Sequence, residues 1–173
     1  MTCIIQEVDK GEKMIKTEIV NLTRDNLLKI KEIDDVFYKD NKTTINWYMQ
    51  RYNERHKGVL LLDNDKCVGY LVTVPIKKEL YDTIINGVIL NDIDINPDMY
   101  INESDYNYIV SFVLLEEYRD KGYAQLLVKD LFNNCSGMFC ALTVTKDGYM
   151  IANKHMDLVM KINDNVSVFK AKM

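Results

Sequence analysis

The chain has 173 residues, 47% of them hydrophobic, which is enough to bury the core of one domain. No run approaches the ~18 consecutive apolar residues of a membrane span, and Met1-Thr2-Cys3-Ile4-Ile5-Gln6-Glu7 lacks the basic and apolar pattern of a secretory signal, so a cytoplasmic location is expected. The net charge of −4, with no basic stripe interleaved with aromatics, argues against a nucleic-acid partner.

In chain order, Lys16 to Leu22 reads as a first strand. Thr23 can cap a helix with Asp25 in its first turn and Leu27, Ile30, Ile33 and Phe37 on its buried face. Asp40-Asn41-Lys42 breaks it, and Thr43 or Thr44 caps a second helix with Ile45, Tyr48, Met49 and Tyr52 on one side. Val59 to Leu62, a turn at Asp63-Asn64-Asp65, and Cys67 to Val74 make a hairpin that Pro75 ends. Ile76, Leu80 and Ile84 suggest a short helix, and Asn91 to Asp98 reads as loop or edge.

Tyr108 to Leu115 is apolar nearly throughout and rich in β-branched and aromatic residues, which predicts a strand covered on both faces. Ala124, Leu127, Val128 and Leu131 then follow at helical spacing, closed by Asn133-Asn134. Met138 to Thr145 is another strand and Asp147 to His155 a short helix. Leu158 to Ile162 and Val166 to Ala171 form a last hairpin around Asn163-Asp164-Asn165. No repeat, low-complexity tract or linker interrupts the chain, which reads as a single domain over 1–173.

Between the apolar strand and its helix lies Arg119-Asp120-Lys121-Gly122-Tyr123-Ala124. A small-residue turn opening a helix leaves backbone N–H groups without intrahelical partners, and the helix dipole adds positive character, so the junction suits a phosphate. Gly122 permits close approach of a ligand to the backbone, and Arg119 and Lys121 bring positive charge. The local chemistry fits a pyrophosphate; an ordinary strand–turn–helix with glycine in the turn fits the same residues.

The junction resembles that of the GNAT superfamily of N-acetyltransferases, whose acetyl-coenzyme A loop has the form Arg/Gln-x-x-Gly-x-Gly/Ala. Arg119, Gly122 and Ala124 stand at those three positions, and Glu117-Tyr118 matches the residues that often precede the Arg. The order β-α-α-β-β-(insert)-β-α-β-α-β-β is also that of the family, from about Lys16 to the end. The resemblance therefore implies an α/β (α+β) fold, with a mixed, mostly antiparallel central sheet flanked by helices. Residues 1–15 would be an N-terminal extension and 76–105 an acidic insert between strands.

It also implies acetyl-coenzyme A as donor, a primary amine of a small molecule or peptide as acceptor, and no nucleic acid or membrane partner. GNAT proteins are often dimers, so a homodimer is within expectation. The coenzyme would lie between Phe112–Leu115 and Ala141–Val144, with Leu114 and Leu115 giving backbone N–H and C=O groups to its arm. Arg119, Asp120, Lys121, Gly122, Tyr123 and Ala124 would hold its pyrophosphate. Attack on a thioester needs an unprotonated amine, whose pKa in water is about 10, so a base must take a proton and an acid aids departure of the thiolate. Some relatives take the acid from a Tyr in the helix after the splayed strand, where Tyr149 and His155 are the candidates. Tyr108, Ser111, Glu103 and Asp105 are candidate bases, and relatives also exist in which no dedicated base is needed.

Packing accounts as readily for several of these positions. Tyr48 and Tyr52 share the buried face of the second helix, whereas Trp47 borders the side expected for the acceptor. His56 reads as a surface residue. Cys3, Cys67, Cys135 and Cys140 show neither a C-x-x-C pair nor a His at ligand spacing, so they read as buried reduced thiols, with no metal site. Met156-Asp157 stands where many relatives have a Gly–aromatic pair, which leaves open a second reading: a degenerate GNAT-like domain that binds acyl-coenzyme A, or a protein partner, without turnover. Nine acidic residues (Glu79, Asp82, Asp92, Asp94, Asp98, Glu103, Asp105, Glu116, Glu117) and no Lys or Arg lie between Glu79 and Glu117. That stretch fits either a cationic acceptor or a solvated connection.

Overall fold

The computed structural model describes residues 8–9, 14–89 and 94–172. Asp92 and Cys3 lie outside the described residues, as does most of the expected extension. Eight strands hydrogen-bond in the order β1-β2-β3-β4-β5-β6-β8-β7. They are β1 (Val8–Asp9), β2 (Met14–Asn21), β3 (Lys57–Asp63), β4 (Lys66–Pro75), β5 (Tyr106–Leu114), β6 (Met138–Thr143), β7 (Met156–Lys161) and β8 (Ser167–Ala171). The helices are α1 (Arg24–Phe37), α2 (Ile45–Arg51), α3 (Lys78–Ile85), α4 (Tyr123–Asn134) and α5 (Lys146–His155). The expected order is observed, with β1 as an addition, pairing antiparallel with the start of β2 inside the expected extension. α3 is the short helix expected from Leu80 and Ile84, and a 3-10 turn at Pro97–Met99 lies within the segment read as loop or edge.

Residues group into two compact units. The first runs to Val72 and takes in Ser111–Cys135. Its β2 and β3 pair antiparallel from Ile15↔Asp63 to Asn21↔Lys57, and Asn64 and Asp65 turn the chain into β4 with φ of 48° and 68°, the positive values a two-residue hairpin requires. Thr23 caps α1 through its side chain, Thr44 caps α2, and Leu27, Ile30 and Ile33 face the core. α4 lies on β2 and β3 with Leu127, Val128 and Leu131 inward. There the Thr17 hydroxyl donates to the buried Asp130 carboxylate at 2.5 Å, so the one acid on that face is satisfied.

The second unit comprises Thr73–Val110 and the chain from Ser136 onward. β5 and β6 run parallel from Tyr106↔Met138 to Ile109↔Ala141, and β8 pairs antiparallel with both β6 and β7. α3 packs on β6 and β8 through Leu80, Tyr81 and Ile84, with Tyr81 against Tyr106 at 5.0 Å. Ile76 and Ile95 are also core residues. At Gly137, φ is +113° and a Cβ would come 2.6 Å from the Asp105 carbonyl oxygen, so the turn into β6 needs glycine.

Several burial expectations are corrected. Ile109 to Val113 of β5 are only half-buried, so the apolar run is not covered on both faces. Phe37, the last residue of α1, and Met49 within α2 stand 37% and 47% exposed rather than on the buried faces of their helices. His56 is buried at 1% exposure; its backbone C=O accepts from the Leu22 N–H and its Nδ1 accepts from the Asn53 N–H, so it builds the turn into β3. Cys67 and Cys140 are buried free thiols as expected, while Cys135 is half-buried.

Candidate functional site

In the first unit, β5 ends at Leu114 and the chain turns through a 3-10 segment, Glu116–Tyr118, before α4. The Tyr118 ring is buried, its hydroxyl donates to the Asp63 carboxylate at 2.5 Å, and its pKa is pushed up to about 12 by burial and by that bond. This ties the loop to the end of β3. Arg119 folds back: its Nε donates to the Leu114 carbonyl at 3.1 Å, and its guanidinium lies 5.4 Å from the centre of the Phe37 ring. The exposed Phe37 therefore supports the arginine in a cation–π contact. The Lys121 ammonium donates to the Glu117 carbonyl at 2.6 Å.

Asp120 and Gly122 both take positive φ, 57° and 83°. Gly122 is the N-cap of α4, with no side-chain cap bond, and a Cβ built on it would meet nothing within 4 Å. The start of α4 thus faces open space at a residue whose backbone conformation favours glycine. Tyr123 is buried and Ala124 half-buried, so these two serve the helix packing as well. The Leu114 carbonyl already accepts from Arg119. Leu115 donates its N–H to the Val68 carbonyl and accepts at its C=O from the Tyr118 N–H.

A second group in the same unit was not legible beforehand. The Asp34 carboxylate of α1 accepts from the Tyr48 hydroxyl of α2 and the Tyr70 hydroxyl of β4, both at 2.5 Å. Tyr70 lies 3.0 Å from the Ser111 Oγ of β5. Burial pushes the Asp34 carboxyl above its ordinary range, against the lowering effect of the two tyrosine bonds, and burial with the neighbouring carboxylate holds both phenols up. The available signals were an acid directly after the buried Ile33 and a lone aromatic within aliphatic β4. Trp47 is 39% exposed, with the Arg51 guanidinium 4.5 Å from its ring centre.

In the second unit, Tyr149 is half-buried on α5, edge-on to Phe169 at 5.5 Å, with the Lys161 ammonium 5.1 Å from its ring centre. His155 is the last residue of α5, half-buried. Six positions apart, the two point roughly 120° apart around the helix, so they do not serve one point together. Tyr108 is 1% exposed and part of the core, and Glu103 and Asp105 are exposed. Met156 is buried and begins β7 directly after α5, which explains structurally why no glycine is needed there. Among the described residues, no three His, Cys, Asp or Glu side chains gather as a metal site, and no helix is long and apolar enough to cross a membrane.

The family model for the acetyltransferase (GNAT) family matches residues 25–150. The chain belongs to the GNAT acetyltransferase family, and its mixed α/β sheet with flanking helices is the fold of that family. The GNAT domain of S. lividans PAT is similar at 9% identity and TM-score 0.64, covering 98% of this chain and 97% of that one. A GNAT-family acetyltransferase from Streptococcus agalactiae is 18% identical over 97% of this chain and 99% of its own, with TM-score 0.59. Arabidopsis thaliana Naa50, solved with the bisubstrate analogue CoA-Ac-MVNAL, is 16% identical with TM-score 0.53, covering 91% and 98%. No curated protein matches the chain.

Proposed function

We propose that this protein transfers the acetyl group of acetyl-coenzyme A to a primary amine of a small molecule or peptide. The observation that carries the reading is Gly122, held at φ +83° at the head of α4 with open space where a side chain would stand. A pyrophosphate there would meet the first N–H groups of α4 and the positive end of its dipole. Arg119, fixed by Leu114 and Phe37, and Lys121 would add charge beside it. A backbone N–H near Leu114 would polarise the thioester carbonyl, worth about 3 kcal/mol in comparable sites. Tyr149 is the acid we assign to the departing thiolate, on the helix that supplies it in related enzymes. Peptide amines belong in the acceptor class because Naa50, a protein of this fold, was solved with a peptide-bearing bisubstrate analogue.

The direct experiment is thiol release from acetyl-coenzyme A against a panel of polyamines, amino acids, aminoglycosides and peptides. Release with at least one amine is expected. Tight coenzyme binding with no release across the panel would favour the second reading, a binding domain without turnover, for which Met156-Asp157 in place of the usual Gly–aromatic pair is the motive.

A further inference from the structure

The chain of hydroxyls from Ser111 to Asp34 has a direction. Tyr70 has one proton and gives it to the Asp34 carboxylate, so its oxygen accepts from Ser111. Ser111, half-exposed on β5, then keeps its lone pairs for a donor outside the protein. We propose that Ser111, Tyr70 and Asp34 form a relay that takes the proton shed by the acceptor amine. The proposal rests on the acetyl-transfer reading above.

The step balances as follows. An N–H bond of the bound ammonium breaks and its proton goes to the Ser111 Oγ. The proton of Ser111 passes to the Tyr70 oxygen and that of Tyr70 to Asp34, which becomes neutral. The freed lone pair forms the C–N bond at the acetyl carbonyl, and the C–S bond breaks with its electron pair on the coenzyme A sulfur. The second nitrogen proton leaves to solvent, and Asp34 discharges along the same path between turnovers. Tyr48 positions the carboxylate through its other oxygen.

The surroundings suit a terminal proton acceptor. Asp34 is faced from α1 by Asp35, itself paired with Lys31 at 2.6 Å, from α2 by Tyr48, and from β4 by Tyr70. Tyr48 is in turn faced by Thr43 and Tyr52. Among the described residues, none of the groups acting on the carboxylate is a cation, and burial favours its neutral form, so a proton delivered there is accepted more readily than by an exposed carboxylate.

The test is the pH dependence of kcat for Ser111→Ala, Tyr70→Phe and Asp34→Asn. Two acceptors are used: the best alkylamine of the panel, and its β,β,β-trifluorinated analogue, which is largely unprotonated at neutral pH. With the alkylamine at pH 7 each variant is expected to lose about a hundredfold in kcat, with coenzyme A affinity unchanged. The loss should shrink as pH rises, and shrink with the fluorinated amine. Ser111→Ala leaves the Tyr70–Asp34 bond in place and so reports even if the other two fail to fold. Wild-type pH profiles in folded variants, or a loss independent of pH and of amine basicity, would overturn the relay. A wild-type protein that releases thiol with no amine would overturn the transferase reading as well, and is told apart by that control alone.

Discussion

At the scale of single residues, Gly122 separates backbone strain from ligand exclusion. A β-carbon there meets no protein atom, so any effect of a side chain on the apo fold comes from φ +83° alone. Asn tolerates that region better than other residues with a side chain, whereas Val costs roughly 1–2 kcal/mol or more. Gly122→Asn is therefore expected to melt close to wild type yet bind coenzyme A at least tenfold more weakly by calorimetry, with Gly122→Val losing both stability and affinity. Wild-type affinity in a folded Gly122→Asn protein would remove this loop from the site. Asp34 makes a different statement. Its carboxyl is raised above 3.8 by burial, so the folded state holds the proton more tightly than the unfolded chain. The stability it contributes is fully present below that value and is lost as pH rises through the raised folded-state value. Relative to Asp34→Asn, which cannot titrate, the wild type should lose stability as pH rises above about 3.8; a difference in melts that stays constant as pH rises would show the carboxyl to be unperturbed.

At the scale of elements, α5 carries the proposed acid on a surface shared with structure. Tyr149 packs on Phe169 and faces Lys161, so Tyr149→Phe keeps the ring and removes only the hydroxyl. It is expected to slow acetyl transfer about ten- to a thousandfold while sparing coenzyme binding. Wild-type turnover across a pH series would place the acid elsewhere, and His155→Gln would follow. The elements themselves were largely legible in the sequence, because caps and periodicity are local: Thr23, Thr44 and the Leu27–Ile30–Ile33 stripe declare α1 and α2 without reference to the rest of the chain. So was the Arg119–Ala124 loop, since a glycine at a strand–helix junction reports on its own backbone. The hidden parts were those that depend on distant partners. Asp34 and Tyr70 are 36 residues apart, and Tyr70 and Ser111 a further 41, so nothing in any one segment pairs them. The burial of His56 is hidden for the same reason, as a histidine reads as polar until a turn closes over it. That of Tyr108 is hidden because strand alternation gives a face but not which face is covered.

At the scale of the whole molecule, charge gives one more expectation. The described acids between Glu79 and Glu117 are exposed, apart from Asp82, which is half-buried and paired with Lys78 at 2.5 Å. Steering of a cationic amine by such carboxylates weakens as the Debye length falls from about 10 Å at 0.1 M salt to about 3 Å at 1 M. Apparent acceptor affinity should fall with salt, and Asp94→Asn with Asp98→Asn should reproduce part of that fall without altering coenzyme A binding. A neutral or anionic preferred acceptor would return the stretch to a solvated connection. The partition of the chain carries a consequence of another kind. The first unit is sewn from two stretches, with Thr17 bonded to Asp130 across 113 positions. During synthesis, β2 is made long before the helix that shelters it, and everything from Thr73 to Val110 must be added in between. The nascent chain therefore passes through a period in which its first sheet has an uncovered apolar face, when it is most prone to aggregate and has the greatest use for a chaperone. Because the closing contact is so remote in sequence, refolding should be slow for a protein of this size.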